Sequence, residues 1–522
     1  MDRQGPHNEP GPATASAVLE RRTIDVVPKN ERHGRTRDLF TIWFSANLGP
    51  LTLVTGALAP AAFGLSFWWS LVALLAGHLG GGFLMALHSA QGPQLGVPQM
   101  IQSRGQFGTV GALVVVLAVL VMYQGFFASN LVVGAQSLRE VLPGVPQDAG
   151  IVGGAVVSLV VAVVGYRLMH RIGALSSWVF GAVQIAGAAW LLCGGLPGDF
   201  LSRGGFSLGG FLGMVSVGAL WQVAYAPYVS DYSRYMPAST AGVRSTLWCT
   251  YWGTVLGSLL PMTVGAAVGL AVPGSDPVAA QTGLLGTPLA QLTLWCFALV
   301  TMLTNSMNLY GAVLCVVTAV QTFAVRWLPR GAGRALLGAA LCALSAVLAL
   351  AFAGSFMDRY LNFLYVLQYL LIPWTAINLV DFYLVRRGHY DVAAFFTRDG
   401  GAYGRVNRPA LSVYLLGIAV EFPFMAQEMY TGPVAAMLGG TDLGWLAGLL
   451  FTLPAYLLAT RGTRAARDAG SPHTDPPGIT EPLLTSEGPA GPDVPISPDS
   501  PTGAGLSGLM GSSGPVSYQH LT

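Results

Sequence analysis

The chain has 522 residues, of which 53% are hydrophobic and only 10% are charged, and its formal net charge is +2. A soluble domain carries roughly 25% charged residues, so the composition excludes an ordinary soluble protein. The small net charge identifies no partner by itself. At ~20 residues for each membrane span plus loops, a chain of this length accommodates one bundle of about twelve spans.

The two ends of the chain differ from its middle. Residues 1–38 are polar and basic, and the first apolar run is long enough to span a bilayer, so we expect a cytoplasmic tail and no secretory signal peptide. Residues 461–522 are rich in Pro, Gly and Ser without apolar periodicity, which predicts a disordered cytoplasmic tail. The segment 39–460 between them is the predicted membrane domain.

Apolar segments between the tails predict an all-α integral membrane protein of twelve transmembrane helices. Lys and Arg favour cytoplasmic loops, and placing the N-terminus inside leaves only Arg139, Arg203 and Arg359 outside, each near an acid. This distribution of arginines is obtained only if residues 287–325 form one long helix. We therefore expect a multi-pass protein of the plasma membrane with both termini in the cytoplasm. The predicted spans are 39–63, 67–89, 108–136, 149–166, 174–196, 207–230, 245–272, 287–325, 335–353, 360–384, 409–431 and 442–460.

The first and sixth predicted spans are interrupted. Residues 46–50 read Ala-Asn-Leu-Gly-Pro inside the first, and residues 218–227 place Gly and Pro inside the sixth. Irregular backbone at mid-membrane is tolerated only where it lines a cavity or is covered by protein. A plain proline kink in each helix is the alternative. Matching interruptions five spans apart favour an inverted-repeat transporter, with repeats at 39–196 and 207–384 and two extra helices at 409–460.

The run from residue 277 to residue 325 contains no Asp, Glu, Lys or Arg. Polar groups at bilayer mid-depth are expensive and persist mainly where they face a partner, a ligand or water. The run therefore predicts a binding site in the middle of a membrane helix, and it favours a transporter over a receptor or an anchor. The polar side chains near its midpoint are Thr301, Thr304, Asn305, Ser306 and Asn308.

Four stretches carry a family resemblance in chain order. They are residues 47–56 with 64–66; residues 225–237, which read Tyr-Ala-Pro-Tyr-Val-Ser-Asp-Tyr-Ser-Arg-Tyr-Met-Pro; residues 305–310, which read Asn-Ser-Met-Asn-Leu-Tyr; and residues 373–391, which include Asn-Leu-Val-Asp-Phe-Tyr and Arg-Arg-Gly-His-Tyr-Asp. Over about 33–460 the chain resembles the nucleobase:cation symporter-1 family, and within it the purine–cytosine permease branch. Tyr225 stands where that branch usually has Trp.

The resemblance implies a LeuT-type bundle that alternates between outward-open and inward-open states and holds substrate between helices 1, 3, 6 and 8. We therefore expect an importer of cytosine and/or purines, driven by protons, with a small nucleobase and the bilayer as its partners. No nucleic acid and no obligate protein partner is expected. The alternatives are another ring compound (hydantoin, allantoin, uracil or a vitamin-like ring), a membrane enzyme and a channel. No nucleophile or His/Cys/Asp motif with usable spacing supports an enzyme.

A nucleobase is flat and edged with donors and acceptors, so its site needs aromatic faces and amides that both donate and accept. Phe126 and Asn130 are four residues apart and share a helix face. Packing against lipid or a neighbour is the alternative for Trp221, interhelical hydrogen bonding for the span 8 amides, and a structural bridge for Asn47. The predicted substrate-binding residues are Asn47, Gln124, Phe126, Asn130, Trp221, Gln222, Asn305 and Asn308.

The coupling cation is predicted from oxygen ligands. Sodium-coupled relatives use carbonyls of broken helix 1, here near Ala46 and Gly49, and a Ser-Thr pair on helix 8 that aligns with Leu303-Thr304. The missing hydroxyl favours protons, with Na⁺ coupling through Thr301 and Thr304 as the alternative. No cofactor or firm metal site is expected, and the five cysteines read as free thiols. The proton candidates are Glu421 first, then Glu428, Asp381, Asp231, His78 and His88. Asp231 and Asp381 lie near cytoplasmic arginines, so a structural ion pair is favoured over a proton role for these two.

Overall fold

The computed structural model describes residues 25–32, 34–164, 179–324, 327, 329 and 331–462. The predicted disorder of the C-terminal tail therefore lies outside the described residues from position 463 onward, as does most of the N-terminal tail. Placing the N-terminus inside also puts Arg167, Arg171, Arg326 and Arg330 in cytoplasmic loops, and these four arginines lie outside the described residues.

The described chain is almost entirely helical, with one two-stranded hairpin of β1 (Ala426–Gln427) and β2 (Tyr430–Thr431) paired antiparallel. A π-type turn, Val380–Val385, continues the fourteenth helix. The helices are α1 (Thr36–Ala46), α2 (Pro50–Ala61), α3 (Phe67–Leu95), α4 (Gln99–Phe107), α5 (Leu113–Val141), α6 (Gln147–Val164), α7 (Val179–Trp190), α8 (Leu208–Val223), α9 (Ala226–Ser233), α10 (Thr240–Ala271), α11 (Pro277–Leu284), α12 (Thr287–Gln321), α13 (Gly331–Phe352), α14 (Phe356–Leu379), α15 (Arg408–Glu421), α16 (Pro433–Met437) and α17 (Gly444–Ala459).

The long eighth span is present as predicted, because α12 is one continuous helix of 35 residues. Within the described residues, six helical segments are long and apolar enough to cross a membrane, or seven when α1 and α2 count as one bent span. Shorter apolar helices, α6, α7 and α17, accompany them. The count of twelve spans stays a prediction.

Glycines allow the broken helices to approach their neighbours closely. A Cβ atom added at Gly56 of α2 would lie 2.0 Å from the carbonyl oxygen of Met262 in α10. A Cβ atom added at Gly81 of α3 would lie 2.4 Å from the carbonyl oxygen of Ala219 in α8. Backbone contacts of this kind hold helices together in lipid, where hydrophobic burial gives little driving force. Two long helices, α10 and α3, thus support the two interrupted segments.

The longest motif of the sequence, residues 373–391, forms a polar cluster at the end of α14. The buried carboxylate of Asp381 accepts hydrogen bonds from Arg386 Nε at 3.1 Å and from the Tyr456 hydroxyl at 2.9 Å. The Tyr390 hydroxyl donates to the same carboxylate. The cluster ties the loop after α14 to α17. Asp381 is therefore in the structural ion pair that its neighbouring arginine suggested.

A second buried charge lies in α4, outside the membrane-spanning helices. Arg104 donates to the carbonyl oxygens of Phe395 at 2.9 Å and Thr318 at 3.4 Å. Burial lowers the pKa of Arg104 to about 10, so the guanidinium is still a cation at neutral pH. Its positive charge meets the C-terminal end of α12, where the helix dipole favours a cation.

Candidate functional site

A cavity lies where the two interrupted segments face each other. Its volume is about 50 Å³, and the space between atoms around it, part of which is open to solvent, is about 510 Å³. None of the described residues that line it is Asp, Glu, Lys, Arg or His. The lining residues come from α1, α2, α5, α8, α9, α12 and the breaks between them: Ala46, Gly49, Pro50, Leu51, Thr52, Phe126, Asn130, Trp221, Ala224, Tyr225, Tyr228, Val300, Thr301, Thr304 and Asn308.

The first break is a sharp bend between α1 and α2. The two helices differ in direction by 60°, and Gly49 is extended with φ −83° and ψ 166°. Pro50 begins α2, so its missing N–H falls at a helix start, where no intrahelical bond would form anyway. Proline therefore starts a helix here instead of kinking one. Ala46 and Gly49 flank this break and line the cavity.

The second break, between α8 and α9, is milder than the sequence predicted. Ala224 has φ −62° and ψ −19°, and Tyr225 has φ −84° and ψ −21°, so both keep nearly helical backbone. Residues 208–233 consequently run as one apolar span, although the helix is interrupted for two residues. Pro227, the second residue of α9, accounts for the lost hydrogen bond.

Aromatic rings form one wall of the cavity. Trp221 contacts Phe126 edge to face with ring centroids 6.1 Å apart, and it contacts Tyr225 at 6.3 Å in the same manner. Tyr228 continues the row, 5.9 Å from Tyr225. Trp221 is 5% exposed, so packing against lipid is wrong for this ring. The wall offers flat apolar faces to a planar ligand.

Amides and hydroxyls supply the polar part of the lining. Asn130 of α5 lies one turn from Phe126, and both residues line the cavity as their spacing predicts. From the middle of α12 come Thr301, Thr304 and Asn308. The Thr301 hydroxyl donates to the carbonyl of Phe297 at 2.6 Å. Asn308 is buried, and its Nδ2 has no hydrogen-bond partner among the described residues, so it can donate to a ligand.

Five predicted site residues lie outside the cavity lining. Gln124 accepts from Ser345 of α13, and Gln222 donates to Ser258 of α10 at 2.7 Å. Asn305 donates to the Phe127 carbonyl at 3.2 Å. Asn47 lies behind the aromatic wall. Glu421 is fully buried on α15, and its oxygens have no hydrogen-bond partner among the described residues.

Tyr225 and Tyr228 complete the aromatic wall without having been predicted as ligand contacts. With Trp221 they occupy positions i, i+4 and i+7, which share one helix face. That spacing is visible in the sequence and continues across the mild break. Thr52, on the first turn of α2, has no comparable signal.

Comparisons with known proteins agree with this architecture. A family profile described as "Permease for cytosine/purines, uracil, thiamine, allantoin" matches residues 26–448. The chain is 41% identical over 433 residues to YxlA of Bacillus subtilis (strain 168), whose name places it among purine-cytosine permeases; the match covers 83% of this chain and 93% of YxlA. The purine-cytosine permease fcyB of Emericella nidulans is 27% identical over 465 residues, or 85% of this chain and 88% of fcyB.

A solved structure shows the same fold. Mhp1, a nucleobase-cation-symport-1 family transporter in a closed conformation with bromovinylhydantoin bound, matches with a TM-score of 0.68 and 19% identity. The match covers 86% of this chain and 97% of Mhp1. It confirms the predicted helical transporter fold of the LeuT type. Together with the profile match over residues 26–448, these likenesses establish that the chain belongs to the nucleobase:cation symporter-1 family of membrane transporters, which are permeases and not enzymes.

Proposed function

We propose that the protein imports an uncharged, planar nucleobase, cytosine and/or a purine, across the plasma membrane by alternating access. The observation that carries this proposal is a cavity of rings, amides and hydroxyls whose described lining contains no charged residue. Relatives named as purine-cytosine permeases support the substrate class. Both termini lie in the cytoplasm in this proposal, and α15 and α17 are additions to two inverted five-helix repeats.

An uncharged lining selects against charged ring compounds. Taking an ion out of water without an opposite charge is far more costly than taking out an amide that finds hydrogen-bond partners. A neutral base can stack on Trp221 and pair its edge with Asn130 or Asn308. A cationic ring such as thiamine gains no compensating charge from this lining, so we expect it to be a poor substrate.

The sequence favours protons as the coupling ion, and this version of the proposal relies on Glu421. A carboxyl group that is buried without hydrogen-bond partners among the described residues is more stable protonated than ionised. In this version, Glu421 releases its proton only when transport rearranges α15 against α17. Glu421→Gln then abolishes accumulation against a gradient while leaving exchange of labelled for unlabelled substrate.

Sodium is the second candidate, and the cavity itself favours it. Thr301 and Thr304 both line the cavity, together with Ala46 and Gly49 at the first break. Hydroxyl and carbonyl oxygens are the ligands that hard cations prefer. In this version Thr301, one helical turn from Thr304, supplies the second hydroxyl oxygen that Leu303 lacks. In this version, Thr304→Val abolishes accumulation and Glu421→Gln does not.

Uptake of radiolabelled cytosine by cells that lack their own permeases tests the substrate. The proposal predicts saturable uptake that unlabelled adenine and hypoxanthine block and thiamine does not. Allantoin, hydantoin and uracil are included as competitors, because uptake blocked only by one of them would assign the site to that ring. No cytosine uptake, with the protein present in the membrane, would refute the substrate assignment.

The same cells test the coupling ion. Proton coupling predicts uptake that a protonophore collapses and that persists when choline replaces sodium. Sodium coupling predicts the reverse dependence on sodium. Uptake that equilibrates without concentrating substrate under either gradient would contradict symport.

A further inference from the structure

Asn47 lies at the first break and yet outside the cavity lining. It directly follows α1, and its side chain is 0% exposed. The sequence left two roles for it, a substrate contact or a bridge across the broken helix. Its hydrogen bonds point to a different role, which rests on the proposed function and concerns the same site.

The Asn47 carboxamide uses its full bonding capacity. Its Oδ1 accepts from Trp221 Nε1 at 2.7 Å and from the Tyr225 hydroxyl at 2.9 Å. Its Nδ2 donates to the Trp43 carbonyl at 2.7 Å and to Thr254 Oγ1 at 3.4 Å. A carboxamide accepts about two hydrogen bonds and donates about two, so no capacity is left for a ligand.

Chemistry fixes the orientation of this amide. An indole N–H can only donate, so the Asn47 atom that faces Trp221 must be the oxygen. A backbone carbonyl can only accept, so the atom that faces the Trp43 carbonyl must be the nitrogen. Exchanging the two would place donor against donor and acceptor against acceptor. The assignment of both ends therefore follows from the partners alone.

The consequence for the cavity is a division between ring faces and polar edges. Trp221 and Tyr225 both line the cavity, yet their hydrogen-bond donors point behind it to one oxygen atom. Rings held in this way present apolar surface to a ligand. The hydrogen-bonding edge of a nucleobase must then be met by groups outside this pair, among them Asn130, Thr304 and Asn308.

We infer that Asn47 is a positioning residue that fixes the stacking geometry of Trp221 and Tyr225 and links the two helix breaks. It connects the end of α1 to the α8–α9 break and, through Thr254, to α10. Asp at this position would lose both donors and bury a charge against the Trp43 carbonyl. Ala would leave two buried donors without their acceptor. Gln would carry the amide one methylene further than the contacts allow.

Transport kinetics separate positioning from general stability. Asn47→Ala should raise the KM for cytosine at least about tenfold, because loss of the shared acceptor frees both rings. Vmax per transporter in the membrane should change less than about threefold, since the proposed substrate contacts of α12 remain. Asn378→Ala is the matched control: Asn378 is equally buried, accepts from Gln91 at 2.8 Å and lies outside the cavity. It should leave KM unchanged.

A mutant cycle tests whether Asn47 acts through its hydrogen bonds to Trp221 and Tyr225. Tyr225→Phe keeps its ring, Trp221→Phe keeps an aromatic ring that is smaller than indole, and both remove the hydrogen-bond donor. In that double variant, adding Asn47→Ala should change KM less than about threefold, because the interaction is already absent. A KM change as large as in the parent would show that Asn47 acts by another route and would overturn the inference. So would a fall in Vmax at constant KM.

A measurement without substrate keeps this inference separate from the proposed function. In protein labelled with 5-fluorotryptophan, the ¹⁹F resonance of Trp221 is assigned by its loss in Trp221→Phe. The inference predicts that Asn47→Ala shifts or broadens this resonance and that Asn378→Ala does not. An unmoved resonance overturns the inference, whatever the substrate is. If wild-type protein transports no nucleobase but the resonance moves, the substrate assignment fails and the positioning contact stands.

Discussion

The two helix breaks that frame the cavity differ in sharpness and in what they supply. The break between α1 and α2 bends by 60° over three residues, and it contributes Ala46 and Gly49 to the cavity lining, of which Gly49 has only backbone to offer. The break between α8 and α9 keeps nearly helical backbone and reaches the cavity with rings, Trp221 and Tyr225. Both breaks contain Gly and Pro, yet the α1–α2 break exposes backbone to the cavity, whereas the α8–α9 break exposes aromatic side chains.

The difference comes from the residue before each proline. Gly49 adopts an extended conformation before Pro50, as residues before proline prefer, and the chain turns there. At the second break the residue before Pro227 is Ala226, which already belongs to α9, so proline removes a hydrogen bond without turning the chain. The first break therefore offers its backbone to a ligand, whereas the second preserves the helical spacing of its aromatic side chains.

The largest expected effect concerns the support of the first break. Gly56→Ala would place a Cβ atom 2.0 Å from the Met262 carbonyl oxygen, so α2 would have to move away from α10. We expect little folded protein, measured as the monodisperse fraction of detergent-extracted protein in gel filtration. Gly80→Ala is the control, because no atom of a neighbouring described element lies within 4 Å of a Cβ atom there. Equal yields of both variants would contradict the close backbone packing.

The next effect distinguishes two neighbouring amides of α12. Asn308→Ala removes a cavity donor that has no hydrogen-bond partner among the described residues, and we expect uptake to fall at least about tenfold through KM. Asn305→Ala removes a bond to the Phe127 carbonyl outside the cavity lining, so its main effect should be on stability. Uptake kinetics normalised to surface protein measure both. Reversal of this order would place the substrate on the other face of α12.

The smallest effect compares the two prolines. Pro227→Ala restores an N–H to backbone that is already nearly helical, so the second break can close, and we expect turnover to change about threefold. Pro50→Ala leaves Gly49 extended and the bend in place, and its expected effect is within about twofold. Initial uptake rates at saturating substrate give the comparison. A larger effect at Pro50 would mean that the proline itself maintains the bend.

The sequence predicted the lengths and interruptions of the helices better than the directions of their side chains. Loop arginines required 287–325 to be one helix, and α12 (Thr287–Gln321) is that helix. The one pair placed by helical spacing, Phe126 and Asn130, does share a face, since both residues line the cavity. Single amides were harder to place. On α5, Gln124 faces Ser345 of α13, and nothing in the sequence distinguishes that direction from the cavity.

The physical reason is burial on several sides. A helix at the surface of a soluble protein has one apolar face, and its polar residues indicate the other. Here α8 and α12 contact protein on more than one side, so a polar residue can satisfy its hydrogen bonds in several directions. Gln222 and Asn305 bond to neighbouring helices, whereas Asn308 faces the cavity. Only the packed structure separates these cases.

Equilibrium binding of radiolabelled cytosine to the purified protein tests the central claim most directly, because it needs neither gradient nor turnover. The claim that the cavity between the two breaks holds a nucleobase predicts saturable binding that adenine displaces. It also predicts that Asn308→Ala weakens this binding at least about tenfold and that Asn378→Ala does not. Saturable binding that is equally strong in wild type and Asn308→Ala would contradict it and place the substrate elsewhere in the bundle.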